Sequence, residues 1–405
     1  MRYDVAIVGA GPAGAASAIH LARGGLRVAL VDREVFPRDK PCAEYLSPAA
    51  EPLLARLGIT DLLAEAQPHR LRGFRIFAPG GGMIQGDFAA TRGPDGASLH
   101  ETGLVIPRSR LDAAIVTGAR RAGAEVREGW RLGQVERLAE GWLLTPVGGG
   151  EPLQARLLVA ADGLRSTVAR RLDLHVVSRM RKIALVAHVR GIAGIGDYGE
   201  MHVAGRRYVG VAPLEPPECG GLCNVAMVVD EARDGPQIAG RPEAFLLDAL
   251  PTFPALRGRL GKLEVVRRTL TTSRLNVRAR CLSQSHLLLV GDATGYYDPF
   301  TGEGIYRALH GAELVAEVAL PALAAGDLSA ARLAAYDRAN RQAFRGKRLV
   351  ERIIQAGVQS PPLMNHLARV LGRHKAMADI AVAVTGDFLP TSAVLRPGYL
   401  LRLVV

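Results

Sequence analysis

The chain has 405 residues, of which 48% are hydrophobic and 22% are charged, and its formal net charge is +12. This composition excludes an intrinsically disordered chain, and the length predicts about two to three domains. Four cysteines are too few for a disulfide framework. Five of the 51 basic residues are lysine, and the arginines are spread along the chain without a long basic block, so nucleic-acid binding is not favoured.

The N-terminus predicts a strand, a glycine-rich turn and a helix in succession. An apolar run over residues 3–8 leads into GAGPAG, and an alanine-rich helical stretch follows. Glycines in such a turn let backbone N–H groups approach a pyrophosphate at the helix N-terminus. Asp32 ends the next apolar run, at the spacing expected of a carboxylate that binds a ribose hydroxyl. The nucleotide-binding residues predicted here are Gly9, Gly11, Pro12, Ala13, Gly14, Asp32 and Arg33.

Two further motifs follow apolar runs that are typical of strands. Asp162 and Gly163 come directly after one run, and Gly291 and Asp292 come directly after another. Because the carboxyl ends of parallel strands meet at one crevice, the three motifs are expected to surround one ligand. GxGxxG alone is a weak signal, but the three motifs in this order indicate a flavin dinucleotide.

Together the motifs resemble those of the p-hydroxybenzoate hydroxylase-like flavoproteins, and within them the geranylgeranyl reductase and flavin-dependent halogenase branch. The resemblance covers most of the chain and implies bound FAD. It also implies an α/β fold: a discontinuous Rossmann-like FAD-binding domain, an antiparallel β-sheet substrate domain and a helical C-terminal region. In that family the aspartate matching Asp292 contacts the ribityl chain, and a following turn lies beside the flavin pyrimidine ring. The matching residues of this turn are Pro299, Gly302, Glu303, Gly304 and Ile305.

Four more residues, in three segments, match FAD-contacting residues of this branch. The segment KPCAEYLSP is similar to a reductase segment in which a cysteine and glycines lie against the flavin, which implies contacts from Cys42 and Ala43. Ala43 and Tyr45 stand where the branch often has glycine, so a looser contact is predicted, and a small buried hydrophobe is the equal alternative for Cys42. Arg108 matches an arginine at the start of a helix near the pyrophosphate. The alternative interpretation is a solvated charge at a helix start. Leu132 falls where the family contacts adenine through backbone.

The predicted substrate wall departs from both groups of the branch. Halogenases carry Trp-x-Trp-x-Ile-Pro on this sheet and the geranylgeranyl reductases carry Tyr-x-Trp-x-Phe-Pro, whereas this chain has YVGVAP at 208–213. Gly210 and Ala212 replace bulky aromatics, which predicts more space before the flavin and disfavours halogenation. Tyr208 is a candidate hydrogen-bond donor to substrate, although a packed sheet tyrosine is the commoner case.

The three motifs lie far apart in the sequence but are expected at one site, so each domain is predicted to consist of separate segments of the chain. The predicted domains are 1–70, 98–175 and 275–330 for FAD binding, 71–97 and 176–274 for substrate, and 331–405 for the C-terminal helices. The substrate domain is assigned to an antiparallel sheet because Gly/Pro turns separate β-rich runs at 182–191, 207–213, 222–230 and 263–272. In the C-terminal region, helices are expected to about residue 384, followed by a closing loop over 386–397.

No metal, nucleic-acid partner or membrane-spanning segment is predicted. Cys219 and Cys223 stand close together, but without a second Cys/His pair nearby a metal site is disfavoured. No apolar run reaches the roughly 18 residues of a spanning helix, while peripheral membrane contact and oligomeric state stay open. Because the N-terminus is itself the predicted first strand, a signal peptide is not expected and the predicted location is the cytoplasm.

The leading hypothesis is an NAD(P)H-dependent FAD monooxygenase that hydroxylates or epoxidises a hydrophobic small molecule through a flavin hydroperoxide. NAD(P)H is expected to visit transiently, since no second glycine-rich nucleotide fold is evident. The chief alternative is an ene-reductase of the geranylgeranyl reductase type, acting on a prenyl or polyketide-like double bond. A non-catalytic FAD-binding electron-transfer module is disfavoured, because it would not need a substrate cavity. The candidate catalytic residues are Cys42, Tyr208 and Glu303.

Overall fold

The architecture is that of a computed structural model, which describes residues 2–88, 102–178, 181–216, 221–387 and 389–404. Its strands in chain order are β1 (Arg2–Val8), β2 (Val28–Val31), β3 (Tyr45–Leu46), β4 (His69–Leu71), β5 (Gly73–Phe77), β6 (Met83–Asp87), β7 (Gly103–Val105), β8 (Glu125–Arg127), β9 (Leu132–Leu138), β10 (Gly141–Pro146), β11 (Leu153–Ala160), β12 (His175–Val177), β13 (Lys182–Ile192), β14 (Tyr198–Ala204), β15 (Arg207–Pro213), β16 (Cys223–Asp230), β17 (Leu260–Ser273), β18 (Val277–Ala279), β19 (Ser283–Gln284), β20 (Leu287–Leu289) and β21 (Gly295–Tyr296).

Its α-helices in chain order are α1 (Pro12–Arg23), α2 (Ala50–Arg56), α3 (Thr60–Glu65), α4 (Arg108–Arg121), α5 (Thr167–Arg171), α6 (Glu231–Ile238), α7 (Pro242–Ala249), α8 (Pro254–Arg257), α9 (Gly304–Ala324), α10 (Ala330–Ala343), α11 (Lys347–Gln359), α12 (Pro361–Arg373), α13 (Lys375–Thr385), α14 (Ser392–Leu395) and α15 (Pro397–Val404). Short 3₁₀ turns lie at Leu250–Thr252, Gly291–Thr294 and Pro299–Thr301.

The first sheet carries the three motifs. Its strand order is β19-β20-β11-β1-β2-β8, with β1 parallel to both neighbours, and β9 and β10 extend it as an antiparallel pair. The sheet is buried on both faces, as its uninterrupted apolar runs predict. Alanines on α1 let that helix lie close to the sheet, and α9 packs beside it. The strands β1, β11 and β20 therefore end next to one another, which brings the motifs to one crevice.

The second sheet forms the opposite wall of the central space. Its order is β17-β13-β16-β15-β14-β5-β6, antiparallel throughout except where β14 pairs with β5. Gly210 lies opposite both Met201 and Ala226, and Ala226 in turn lies opposite Val186. One row of small and apolar residues thus crosses four strands on the same face. The other face packs on α7 and α8 through a separate apolar core.

The predicted β-rich runs are observed as β13, β15, β16 and β17. The strand β14 was not predicted, because its buried residues include the polar residues Glu200 and His202. Glu200 Oε2 lies 2.9 Å from His202 Nε2. A buried polar pair of this kind is satisfied by its neighbours and so leaves no apolar alternation in the sequence.

The C-terminal region is helical as predicted and packs α12 and α13 against β6. The fit is close at Gly86, where a Cβ would lie 2.3 Å from Val382 Cγ2 and 2.7 Å from the Ala378 carbonyl oxygen. The closing loop expected over 386–397 is wrong in part, because α14 lies within it. Pro397 begins a further helix, since a proline fits the first helical turn.

The predicted fold class is confirmed: a discontinuous nucleotide-binding sheet, a mainly antiparallel second sheet and a helical C-terminal region. The domain boundaries stay a prediction, and the one at 97/98 lies outside the described residues. Within the described ranges, every helix is too short or too polar to cross a bilayer.

Candidate functional site

The turn after β1 is shaped by glycines that approach other backbone closely. Gly9 has a φ of +100°, and a Cβ there would lie 2.5 Å from the Ala161 carbonyl oxygen. A Cβ on Gly14 would lie 1.8 Å from the Gly9 carbonyl oxygen, so any side chain would push α1 away from the turn. A Cβ on Gly11 would meet the Arg38 guanidinium at 3.7 Å and otherwise borders open space. Gly11 is therefore placed where a ligand can approach the backbone.

A cleft of about 1880 Å³ opens beside this turn. Asp32 stands at its edge, where its carboxylate accepts hydrogen bonds from the N–H groups of Ala10 at 2.6 Å and Glu34 at 2.9 Å. The carboxylate thus fixes the turn while it faces the cleft. Of the predicted residues, the structure brings to this cleft Gly9, Gly11, Asp32, Arg33, Leu132, Asp162 and Gly163.

Asp162 supplies a buried acceptor to the same cleft. Its Oδ2 accepts from the N–H groups of Thr167 at 2.5 Å and Val168 at 3.2 Å, at the start of α5. Its Oδ1 is buried and has no hydrogen-bond partner among the described residues. Burial raises the pKa of Asp162. A hydroxyl or N–H donor from a ligand would satisfy this free oxygen.

Three basic side chains lie together where this cleft meets the next cavity, and two of them contact one carboxylate. Arg108, the first residue of α4, forms two hydrogen bonds to Asp112 at 2.7 and 2.8 Å. Arg38 Nη1 lies 2.9 Å from the same carboxylate. Lys40 stands beside them, and burial together with the Arg108 charge lowers its pKa. The net positive charge suits a pyrophosphate. Lys40 is the first residue of the segment KPCAEYLSP, although no role was predicted for it, and no sequence motif marked Arg38.

The central cavity, of about 1260 Å³, lies between the glycine turn, the third motif and the second sheet. Its sheet wall is apolar and includes Ala184, Val186, Met201, Ala226 and Val228. The predicted site residues that line it are Gly11, Pro12, Ala13, Cys42, Ala43, Arg108, Gly163, Tyr208, Gly291, Asp292, Pro299, Gly302, Gly304 and Ile305. The second and third motifs and the cysteine segment therefore meet around one space.

An outer chamber of about 610 Å³ adjoins the central cavity and shares with it Tyr45, Met201 and Gly210. Ala212 lines the outer chamber, so both small residues of YVGVAP face cavity space as predicted. A Cβ on Gly210 would lie 3.6 Å from Met201 Cε, an ordinary contact. A larger side chain at Gly210 would therefore project into the space between the two chambers.

The Cys42 segment is held by the buried carboxylate of Glu44, a residue of KPCAEYLSP for which the sequence predicted no role. Glu44 is fully buried with a φ of +59°, and its Oε2 lies 2.7 Å from His188 Nε2 and 2.8 Å from Asn224 Nδ2. Its Oε1 accepts from Arg267 at 3.0 Å. Burial alone would raise the pKa of Glu44, but the His188 hydrogen bond and the Arg267 charge bring it below its usual value. Asn224 also donates to the Cys42 carbonyl at 3.0 Å, which fixes the backbone beside the thiol.

The Tyr208 hydroxyl is committed to a neighbour rather than free for a ligand. It donates to Asp298 Oδ1 at 2.6 Å, and Lys182 Nζ lies 2.6 Å from Asp298 Oδ2. All three side chains are buried. Burial and the Asp298 charge raise the pKa of Tyr208 well above its usual value. The tyrosine therefore contributes its ring to the cavity wall and its hydroxyl to the support of the Asp298 turn.

A further cavity of about 470 Å³, the acidic cavity, is lined by Asp298, Glu303 and Glu351 and borders the central cavity at Asp292 and Gly304. Glu303 lies in this cavity rather than in the central one, and its Oε1 accepts from Lys347 Nζ at 3.2 Å. The structure therefore does not bring the Glu303 carboxylate together with the other two predicted catalytic side chains. Lys347 also lies 2.6 Å from Asp387 Oδ1, and burial raises the pKa of Asp387 to about 7.

These residues fit FAD. Gly11 borders open space at the turn, and the three cations supply positive charge for a pyrophosphate. Asp162 offers an unpaired acceptor, and Gly304 places the positive N-terminus of α9 at the central cavity. Among the described residues, no three His, Cys, Asp or Glu side chains are grouped so as to hold a metal ion. Cys219 lies outside the described residues.

Comparison with known proteins decides the family. The FAD binding domain family matches residues 2–352 of the chain. The chain belongs to this family. It is an FAD-dependent oxidoreductase with a geranylgeranyl-lipid reductase among its relatives, and flavin-dependent halogenases share its fold, which confirms the resemblance predicted from the motifs.

Two curated relatives and one solved structure show how far the likeness extends. Digeranylgeranylglycerophospholipid reductase 1 of Methanothermobacter thermautotrophicus is 30% identical over 353 residues, which cover 84% of this chain and 83% of that protein. Conditioned medium factor receptor 1 of Dictyostelium discoideum is 28% identical over 82% of this chain, and the match spans 66% of that protein. A geranylgeranyl bacteriochlorophyll reductase-like protein of Thermoplasma acidophilum has the same fold, with a TM-score of 0.80, 22% identity and coverage of 100% and 98% of the two chains.

Proposed function

We propose that this flavoprotein is an NAD(P)H-dependent reductase that saturates a carbon–carbon double bond of a long apolar substrate, such as a prenyl or polyketide-like chain. The observation that carries the proposal is the apolar space beside the assigned flavin position. It comprises the sheet side of the central cavity, part of whose roughly 1260 Å³ the flavin would fill, and the adjoining outer chamber of about 610 Å³. Such a space suits a hydrophobic ligand whose orientation is set by a few polar groups. The relative named for digeranylgeranylglycerophospholipid reduction supports a reductase over the monooxygenase.

The apolar wall would bind the substrate and exclude water from the reacting bond. The row formed by Met201, Gly210, Ala226 and Val186 lines the central cavity with apolar atoms only, since none of its side chains is polar. Roughly 25 cal/mol is gained for each Å² of apolar surface removed from water. A long chain lying along this row and past Gly210 would therefore bind mainly through hydrophobic contact.

We assign the cofactor-binding roles to the residues that the structure brings to the two spaces. Asp292 would hold ribityl hydroxyls, Arg108 with Arg38 and Lys40 would neutralise the pyrophosphate, and Asp32 would bind the adenosine ribose. The backbone N–H groups of the turn that ends at Gly304 would face the isoalloxazine. When bound, FAD would supply the hydride for the reduction, with NAD(P)H as the proposed source of electrons.

Cys42 is the proposed proton donor. It is a free cysteine that lines the central cavity, and its backbone is fixed by the Asn224 hydrogen bond and the Glu44 network. Its Sγ–H would give a proton to one carbon of the double bond while hydride adds to the other, so two hydrogens are added in all. Tyr208 and Glu303 would not take part in the chemical step. Tyr208 would support the cavity wall through its hydrogen bond to Asp298, and Glu303 would hold the start of α9 through its ion pair with Lys347.

Product analysis tests the proposal. The FAD-loaded protein is incubated with NAD(P)H and a polyprenyl substrate under argon and under air, and products are identified by mass spectrometry. A product two hydrogens heavier that forms under argon supports the reductase. A product that gains oxygen, formed under air alone, would replace it with the monooxygenase predicted from the sequence. Reduction of the flavin with no product under either gas would favour an electron-transfer module.

A further inference from the structure

The C-terminal helices present an apolar face that the proposed reaction does not use. Five large hydrophobic side chains of this region are between 39% and 66% exposed, namely Leu349, Ile353, Leu363, Leu400 and Leu401. Scattered exposed leucines are ordinary, but a group of them on neighbouring helices marks a contact surface.

The first part of this group spans α11 and α12. A Cβ on Gly357 would lie 3.7 Å from Met364 Sδ, so the end of α11 packs on the start of α12. Ile353 lies one helical turn before Gly357, and Leu363 is the residue before Met364. The exposed side chains of the two helices therefore lie on adjoining stretches of surface.

The second part is joined to the first through α15. His366 Nε2 lies 2.6 Å from the Leu403 carbonyl oxygen, which ties α15 to α12. Leu363 lies one turn before His366, and Leu400 lies one turn before Leu403. We call the combined surface the basic apolar face, and its residues are Arg348, Leu349, Arg352, Ile353, Leu363, Leu400, Leu401 and Arg402.

The charge of this surface is one-sided. Arg348 and Arg352 are exposed and lie beside Leu349 and Ile353 on the solvent side of α11. The acidic residues of the described part of 345–404 are Glu351, Asp379 and Asp387, and the side chains of all three are buried or nearly so. No carboxylate is therefore exposed within the described residues of α11 to α15.

The sequence shows that this imbalance belongs to the whole C-terminal region. Residues 331–405 contain twelve basic and four acidic residues, a net charge of +8, against +12 for the complete chain. A second copy of the chain would bring the same positive charge against itself, and like charges across an interface oppose association. An anionic surface is the complementary partner.

We propose that the basic apolar face docks the enzyme on the surface of an anionic lipid bilayer. Leucine and isoleucine side chains would enter the boundary between headgroups and acyl chains, while the arginines at their sides would meet anionic headgroups. This is the geometry of a helix that lies in the interface and does not span the membrane. The inference goes beyond the proposed reaction and does not depend on it.

Vesicle flotation of the FAD-loaded full chain tests the proposal. One set of vesicles is phosphatidylcholine alone, and the other is an equal mixture of phosphatidylcholine and phosphatidylglycerol. Binding to the mixed vesicles is expected, with weaker binding as salt is raised. Arg348→Gln with Arg352→Gln should lower the affinity about fivefold for each arginine removed. Leu349→Ser with Ile353→Ser should lower it about tenfold.

The matched control carries the same kinds of change on a different surface. Val266 is 50% exposed and Arg268 is exposed on the edge strand β17, so Val266→Ser with Arg268→Gln should leave binding unchanged. All three double variants should keep wild-type FAD absorbance and circular dichroism, because the altered side chains are exposed. No binding to mixed vesicles, or an equal loss in the control, would overturn the proposal. So would a change from dimer to monomer in the α11 variants without any vesicle binding, which would make the face an interface between copies.

Discussion

The substitution Glu351→Gln is expected to stabilise the protein at high pH and to leave it unchanged at low pH. Glu351 is 4% exposed, its Oε1 lies 3.5 Å from Arg307, and its Oε2 has no hydrogen-bond partner among the described residues. Burial raises its pKa to about 7, the nearby carboxylates of Glu303 and Asp298 add to the shift, and Arg307 opposes it. The folded protein therefore holds a carboxyl group that resists ionisation.

The size of the effect follows from the two pKa values. Below 4.5 the carboxyl is neutral in both the folded and the unfolded chain, and it lowers stability progressively as pH rises to about 7. Across that range the loss is about 3 kcal/mol, at about 1.4 kcal/mol for each tenfold change in proton affinity. Glutamine does not ionise, so the variant should gain about 1–3 kcal/mol over wild type above pH 7 and nothing near pH 4.5, the lower figure allowing for its unpaired amide.

Glu313→Gln is the matched control with the opposite sign. Burial alone would raise the pKa of Glu313, but hydrogen bonds with His310 at 3.3 Å and with Arg56 at 2.7 and 3.2 Å lower it to about 2. Its carboxylate stabilises the folded state at neutral pH and loses this effect only as pH falls from 4.5 towards 2. Its replacement should therefore cost about 1 kcal/mol at high pH, after discount for solvent screening.

The assay is urea unfolding followed by far-UV circular dichroism, at about pH 5 and about pH 8.5, for wild type and both variants. FAD content is measured in parallel so that cofactor loss is not mistaken for a change in folding. An equal gain for Glu351→Gln at both pH values would refute the ionisation argument, as would destabilisation at the higher pH.

Three further predictions concern the central cavity. Gly11→Val should block the approach of the pyrophosphate to the turn, and Asp292→Ala should remove the acceptor for the ribityl hydroxyls, so each should lower FAD affinity at least about tenfold. Wild-type affinity in fluorescence titration would reassign both residues to a structural role. Cys42→Ser should slow turnover about 100-fold or more with FAD content unchanged, and unchanged turnover would end the assignment of Cys42 as proton donor. Gly210→Leu should restrict the enzyme to shorter prenyl chains, so kcat/KM should fall most for the longest substrates. An equal fall in kcat/KM for all chain lengths would contradict this prediction.

The nucleotide half of the site was predictable because its constraints are local. Gly9 is required by its φ of +100°, and Gly14 is required because a Cβ there would lie 1.8 Å from the Gly9 carbonyl oxygen in the same strand-turn-helix unit. Such local constraints leave glycines at fixed spacing in the sequence. Asp162 and Asp292 follow apolar strands whose ends are brought together by sheet topology.

The supporting charges were not predictable, because they come from distant elements. Glu44 meets His188 and Asn224 across the second sheet, and each of these residues alone is an ordinary polar residue in the sequence. The direction of a side chain is equally hidden: the motif marks Glu303, yet its carboxylate lies against Lys347 in the acidic cavity. Arg108 was predicted, but not that Asp112 already occupies both arms of its guanidinium.

The interleaving of segments also bears on how the protein is made. The first sheet needs β1 and β2 from the start of the chain, β11 from its middle and β20 from beyond residue 286. During synthesis, β1 cannot pair with β11, nor β11 with β20, until the later strand of each pair has been made, and pairing between such distant segments is slow. The nascent chain cannot complete the FAD site until Gly304 has emerged from the ribosome. FAD retention would therefore report that the chain from β1 to the start of α9 has reached its native topology.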